Sequence, residues 1–224
     1  MKPRAALADL TPPPSLTDRA YSQIEELIIT LQLAPGSALS ESDLSALLGI
    51  GRTPIREALH RLEREKLVSI LPRKGIVVSH IDVSQQLRLL EVRRELERLI
   101  ARSAARRASD EDRAHFLQLA DRFATSSKAN DDVEFMRVDR DFNLLCTTAT
   151  RNEFTENAMS LIHSLSRRFW YANHRAAGAM PVTAALHASV ARAIASGDEE
   201  RAAKASDKLL DSLEKFTRGV VHRR

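Results

Sequence analysis

Residues 40–78 read SESDLSALLGIGRTPIREALHRLEREKLVSILPRKGIVV, and the order of signals in this stretch decides the fold. Ser40 suits a helix N-cap, and Asp43 three positions on places an acid in the positive first turn. Leu44, Leu47 and Leu48 share one face of the short helix that follows, and Gly49 frees the backbone for a sharp turn. Gly51, Arg52 and Thr53 lead into Pro54, well placed in the first turn of a second, longer helix. Ile55, Leu59 and Leu62 form the apolar stripe of that helix. Arg52, Thr53 and Arg56 sit at its leading end, off the stripe. Residues 67–71, a turn over 72–75 and residues 76–78 then make a small two-stranded hairpin with Lys74 and Gly75 at its tip. Helix, turn, arginine-bearing helix and hairpin is the plan of a winged helix-turn-helix, which places a helix in the major groove of DNA.

Charge agrees with that plan only locally. Residues 52–74 hold seven Lys/Arg against three Asp/Glu, whereas residues 1–80 hold ten against nine. The positive charge is therefore focused on the second helix and the wing. Affinity for DNA grows with the number of phosphates neutralised, so a focused but modest charge favours a homodimer in which two such surfaces add.

The chain has 224 residues, 43% of them apolar and 29% charged, enough for two packed cores and a charged surface. The expected parts are a mobile or extended arm over 1–16, which contains Pro12-Pro13-Pro14, a DNA-binding domain over 17–80 and a helical domain over 81–224. No run of about 20 apolar residues offers a membrane span, and the first residues lack the apolar core of a secretory signal. A single cysteine excludes an intrachain disulfide framework and suits a cytoplasmic protein. Cys146 shares a helix face with Phe142, where packing in the core is its expected role.

From Ile81 onward six segments carry an apolar period of about 3.6 residues: 82–107, 110–125, 131–150, 153–175, 181–196 and 198–220. Breaks fall at 109–110, 126–130, 151–152, 178–181 and 197–198. The expected fold class is mainly α, an N-terminal winged helix-turn-helix followed by an all-α antiparallel bundle of about six helices. No Gly-rich phosphate loop or Cys/His pair at zinc spacing interrupts it. Several inward faces carry polar groups. Arg93 lies among Leu89, Leu96 and Ile100; Asp139 and Asn143 lie with Phe135, Phe142 and Cys146; Arg168 aligns with Leu161 and Leu165; His187 shares a face with Val190 and Ile194. Buried charge is costly unless paired or liganded. Each group alone reads as a core histidine or a simple ion pair, but together they predict a polar ligand cavity between helices. For Phe169-Trp170-Tyr171, ordinary packing is the expected role.

The run L-x-E-x-x-L-x-x-x-L-G-x-x-R-T-P-x-R-E-A-L-x-R-L-x-x-E-x-L-V, here Leu39 to Val68, resembles the DNA-binding domain of the GntR family of bacterial transcription regulators. The turn over 34–37, closing a helix over about 17–33, fits as well. The resemblance implies operator contacts by Arg52, Thr53, Arg56 and Gly75; Lys74 at the wing tip joins them on position and charge. Ser42 stands where the family can carry an arginine, and Gly51 where it usually carries Ser or Thr. Leu90-Glu91-Val92-Arg93 with Leu96-Glu97, Asp139 with Phe142-Asn143, Leu186-His187 and the Gly197-Asp198 turn resemble the FCD effector domain of the FadR-like subgroup. The six-helix count is similar to its VanR-like branch.

Many such domains hold a divalent metal with one Asp and three His beneath a small carboxylate. Asp139 and His187 match that set. Asn143 and Leu209 stand for the other two histidines, and an amide is a poor ligand for zinc while leucine is none. The expectation is therefore a metal-free site and no cofactor, with Arg93, Asp139, Asn143, Arg168 and His187 around an organic acid. A metal on Asp139 and His187 is the alternative. The function read from the chain is a ligand-controlled, sequence-specific DNA-binding regulator, a repressor by preference, and not an enzyme. An enzyme using an Asp139/His187 pocket and an effector-independent DNA-binding protein with a filled core are the competing readings.

Overall fold

The computed structural model describes residues 14–71 and 75–221. Its elements run α1 (Leu16–Ile29), β1 (Ala38–Leu39), α2 (Glu41–Leu48), α3 (Arg52–Arg64), β2 (Val68–Leu71), β3 (Gly75–Val78), α4 (Val83–Arg107), α5 (Asp110–Ala129), α6 (Asp132–Ala149), α7 (Glu153–Ala177), α8 (Met180–Ala195) and α9 (Glu199–Val221). Lys74 and residues 1–13 of the expected arm lie outside the described residues.

The winged part follows from local chemistry. Ser40 Oγ accepts the Asp43 N–H at 3.1 Å and starts α2, and Gly49 ends it in the left-handed region at φ 64°. That conformation carries a steric penalty for residues with a Cβ. Gly51 opens α3 with no side-chain cap, because glycine has no acceptor to offer its first amides. Ile55, Ala58, Leu59 and Leu62 of α3 pack with Ala20, Ile24 and Ile28 of α1 in one apolar core. Leu47 is 63% exposed, so the apolar face of α2 is narrower than its three leucines predict.

Two boundaries differ from the sequence reading. The first helix stops at Ile29, not near Leu33: Thr30 caps it, its hydroxyl on the Glu26 carbonyl, and Leu31 turns left-handed at φ 60°. The expected hairpin is also the larger part of a three-stranded antiparallel sheet of order β1-β3-β2, with both Leu39 and Ile70 opposite Ile76.

Helices α4–α9 form the antiparallel bundle, with α4 against α9 and α5 against α8. Its centre is a ring cluster in which Phe123 meets Phe135 at 5.5 Å and Phe142 at 5.7 Å between centroids. Along α4, Arg94, Arg98, Arg102 and Arg106 reach Asp211, Asp207, Glu200 and Glu199 of α9, about one pair per turn. Such exposed pairs each contribute little stability and mainly fix register. Helix α5 continues to Ala129, past the break expected at Ser126, because the cap is Asn130 at φ 53°.

Helix α7 touches both cores. Ile162 and Trp170 belong to the bundle core, while Leu165 packs against the winged part. Arg168, 2% exposed, donates to the carbonyls of Ser79 at 3.0 Å and His80 at 3.1 Å, at the junction before α4. Its Leu165/Arg168 face is turned to the winged part rather than the bundle interior, and Leu161 is exposed. Among the described residues, no helix is long and apolar enough to cross a membrane.

Candidate nucleic-acid interface and ligand cavity

Arg52, Thr53 and Arg56 project from the first turns of α3, all exposed. Arg52, Arg56 and Gly75 line one groove with Ser40, Glu41 and Ser42. Gly75 begins β3 at φ 87°, a backbone conformation that residues with a Cβ rarely adopt. Arg56 donates from Nε and Nη2 to the two oxygens of Glu41, both at 2.8 Å. The hydrogen bond from Arg56 holds the Glu41 carboxyl below its ordinary range. The two bonds fix the guanidinium plane, so an acid that itself repels DNA phosphate sets the orientation of the arginine. The groove thus offers cations, uncapped helix amides and a close backbone on one side of the molecule, the set that meets phosphates and base edges.

The second site lies inside the bundle. Arg93 and Gln86 of α4, Asp139 of α6, Arg167 and Trp170 of α7, and His187 of α8 line a small cavity of about 20 Å³. Asp139 is its hub: His187 Nε2 lies 3.1 Å from Oδ1, Arg167 Nε 2.9 Å from Oδ2, and Asn143 Nδ2 donates to Oδ2 at 3.2 Å. Burial alone would raise the Asp139 carboxyl; the contact with His187 and the charges of Arg167 and Arg93 outweigh it and hold the group well below the carboxylate range. His187 Nδ1–H donates to the Thr183 carbonyl at 2.8 Å, which aims Nε2 at Asp139. Arg93 donates to Ser166 Oγ at 2.6 Å and to Glu97 at 2.5 Å, and Gln86 shares the same serine.

On the far side of Asn143, a second small cavity is lined by Glu97, Cys146, His163 and Leu209 among others. Burial would raise Glu97, but Arg93 and His163 bring it down to about 2. Because the folded value lies below the ordinary 4.5, this pair contributes stability above pH 4.5 that is lost as pH falls toward about 2. Glu97→Gln should therefore be less stable at neutral pH, yet show a shallower loss between those limits in urea unfolding. Parallel curves for the two proteins would refute the assignment.

Both sites now have a context. The FCD domain description matches residues 88–212, and that of bacterial regulatory proteins of the gntR family matches residues 16–78. The chain belongs to the GntR family. It is similar to the Nta operon transcriptional regulator of Aminobacter aminovorans, 28% identical over 149 residues, which are 65% of this chain and 68% of that one. It is also similar to the HTH-type transcriptional repressor RspR of Escherichia coli, 29% identical over 140 residues, covering 62% of this chain and 60% of that protein. A regulator from Streptomyces ambofaciens matches only through 62 residues at 47% identity, 28% of this chain and 26% of its own. Among solved structures, E. coli McbR/YncC superposes with a TM-score of 0.78 over 93% of this chain and 100% of that one, at 19% identity, a likeness of fold. The protein is thus a DNA-binding transcription regulator of the GntR family with an FCD effector domain.

Within that family frame, the cavity brings together Arg93, Asp139 and His187. Asn143 contacts Asp139 but faces the second cavity with Leu209. Arg168 is not among the lining residues; Arg167 takes the place expected of it. The reason is rotational, since one residue turns a helix face by about 100°. The Arg93–Glu97 pair was legible as an i, i+4 spacing. Nothing local in the sequence marks Gln86 or Ser166.

The donor set does not suit the metal many FCD domains hold. Asn143 and Leu209 supply an amide and a methyl group where imidazoles are needed, and a guanidinium already lies against Asp139. No group of three or more His, Cys, Asp or Glu able to hold a metal occurs among the described residues.

Proposed function

We propose that the protein is a homodimeric repressor, not an enzyme, whose operator affinity is set by a small organic acid bound without metal in the bundle cavity. One observation carries the effector reading. Arg167 Nε and His187 Nε2 are buried nitrogens that face Asp139 at 2.9 and 3.1 Å without an aligned hydrogen bond, and both lie on the wall of a cavity that also presents Arg93. A ligand carboxylate would supply the aligned acceptor that Asp139 does not, and apolar walls from Phe135, Trp170 and Phe169 would hold its hydrocarbon part. Arg52, Thr53, Arg56, Lys74 and Gly75 would read and hold the operator. The repressor sign is supported by the relative named as a repressor. Exposed Val92 and Leu99, two turns apart on α4, offer apolar area for a second copy. A regulator acting on chromosomal DNA works in the cytoplasm.

The test is thermal unfolding of the full chain with a panel of mono- and dicarboxylates. An acid at about 100 times its Kd stabilises by about 2.7 kcal/mol, or about 5–10 °C at this chain length. The same acid should weaken binding to duplex DNA selected by the protein from a random library, and Arg93→Met should remove both effects. A panel without any shift would overturn the organic-acid reading.

A further inference from the structure

We propose that Arg167 is both a ligand-binding residue of the cavity and the group that reports occupancy to the DNA-binding part, by dividing its guanidinium between Asp139 and Glu25 of α1. This rests on the effector reading of the cavity and names how that site regulates.

Arg167 has one foot in each half of the molecule. Its Nε faces Asp139 at 2.9 Å, Nη1 donates to Glu25 Oε1 at 3.2 Å, and Nη2 donates to the Met136 carbonyl at 2.7 Å. It lines the cavity and also the cleft where Glu25 and Glu26 of α1 face Arg137 and Arg140 of α6. Glu25 is 3% exposed, so its charge depends on protein partners. Those partners are Ser164 Oγ at 2.5 Å, Arg167, and Arg140 at 3.4 Å. The chain continues from α1 into the reading head: Tyr21 donates to Glu65 just after α3 at 2.7 Å, and Thr17 to Glu57 within α3 at 2.6 Å.

A guanidinium is a rigid planar fork. It cannot turn toward a third carboxylate in the cavity and keep the present geometry to both Asp139 and Glu25. A bound acid therefore competes with Glu25 for Arg167 and loosens the hold on α1. At about 20 Å³ the cavity has space for no more than one or two waters, so a larger guest must also displace its walls, of which Arg167 is one. This competition supplies the differential affinity without which no ligand can shift an equilibrium.

The relay is tested without ligand, so its failure is separable from failure of a carboxylate to bind. Amide hydrogen exchange is measured in the full chain for α1 and, as an internal reference, for α9. Asp139→Asn removes the cavity-side competitor and should slow α1 exchange about three-fold relative to α9, the size of a typical coupling. In the Glu25→Gln background the same substitution should leave α1 exchange unchanged. Slowing of equal size in both backgrounds, or none in either, would overturn the relay and leave Arg167 as a docking contact. If Asp139→Asn does not fold, Arg167→Lys decides: a single ammonium keeps the charge but cannot reach both carboxylates, so α1 should exchange about three-fold faster. Wild-type exchange in that variant would overturn the proposal.

Discussion

Replacing Arg52 and Arg56 together by alanine is expected to abolish specific operator binding while leaving the fold intact. Both side chains are exposed at the leading end of α3, away from the stripe of Ile55, Ala58, Leu59 and Leu62 that holds the helix in place. A well-placed base contact by arginine discriminates by about ten- to hundred-fold, so losing both should leave only weak, salt-sensitive attraction. The two losses should not be equal in kind. Arg56 is oriented by Glu41 through two hydrogen bonds, as suits a residue that reads a base edge, whereas Arg52 has no such bonded partner among the described residues. Fluorescence anisotropy on the selected operator and on a scrambled duplex separates the cases. Loss of discrimination with near-normal thermal unfolding is the expected pattern; retained specific binding by the double variant would refute the placement of α3 at the DNA.

Phe123→Ala is expected to produce the largest loss of stability of any single substitution in the bundle. The ring is fully buried and makes aromatic contacts with Phe135, Phe142 and His187, the last at 5.0 Å between centroids. Truncating a buried phenylalanine costs about 3–5 kcal/mol, because the surrounding helices close only partly over the space left behind. For a chain of this length that corresponds to a fall in Tm of about 6–20 °C. Calorimetry of the full chain checks it. A fall near one degree would mean that the ring cluster repacks freely. The loss should also reach the proposed effector cavity, since Phe123 packs on the imidazole whose Nε2 faces Asp139.

The winged part was legible because its signals are local. Ser40, Gly49 and Pro54 each state a cap, a turn or a helix start by their own covalent chemistry, and the structure places an element boundary or first turn at each. The two-residue strand Ala38–Leu39 was not legible: so short a strand carries no alternation, and its pairing partner lies 37 residues away at Ile76. Among the polar groups of the bundle, Arg93, Asp139 and His187 were found because apolar residues at helical spacing flank each of them. The choice of Arg168 over Arg167 shows where that method ends. Both arginines are buried, and α7 has apolar neighbours on two sides, so periodicity alone cannot say which core each faces. Glu25 was missed for a related reason: its partners Ser164 and Arg167 are about 140 residues distant in the chain.

The double burial of α7 has a consequence for how the molecule holds together in time. From Ser166 to Trp170 every residue is buried, a full turn without a solvent face. This turn is the common wall of both cores, and it carries Arg168 to the Ser79 and His80 carbonyls across the junction. Neither half can melt without stripping cover from that wall, so the two are bound into one cooperative unit in spite of their separate cores. A cut between them would not yield two independent modules. It would leave the bundle with a buried arginine whose acceptors had gone, and the reading head with an apolar floor open to water.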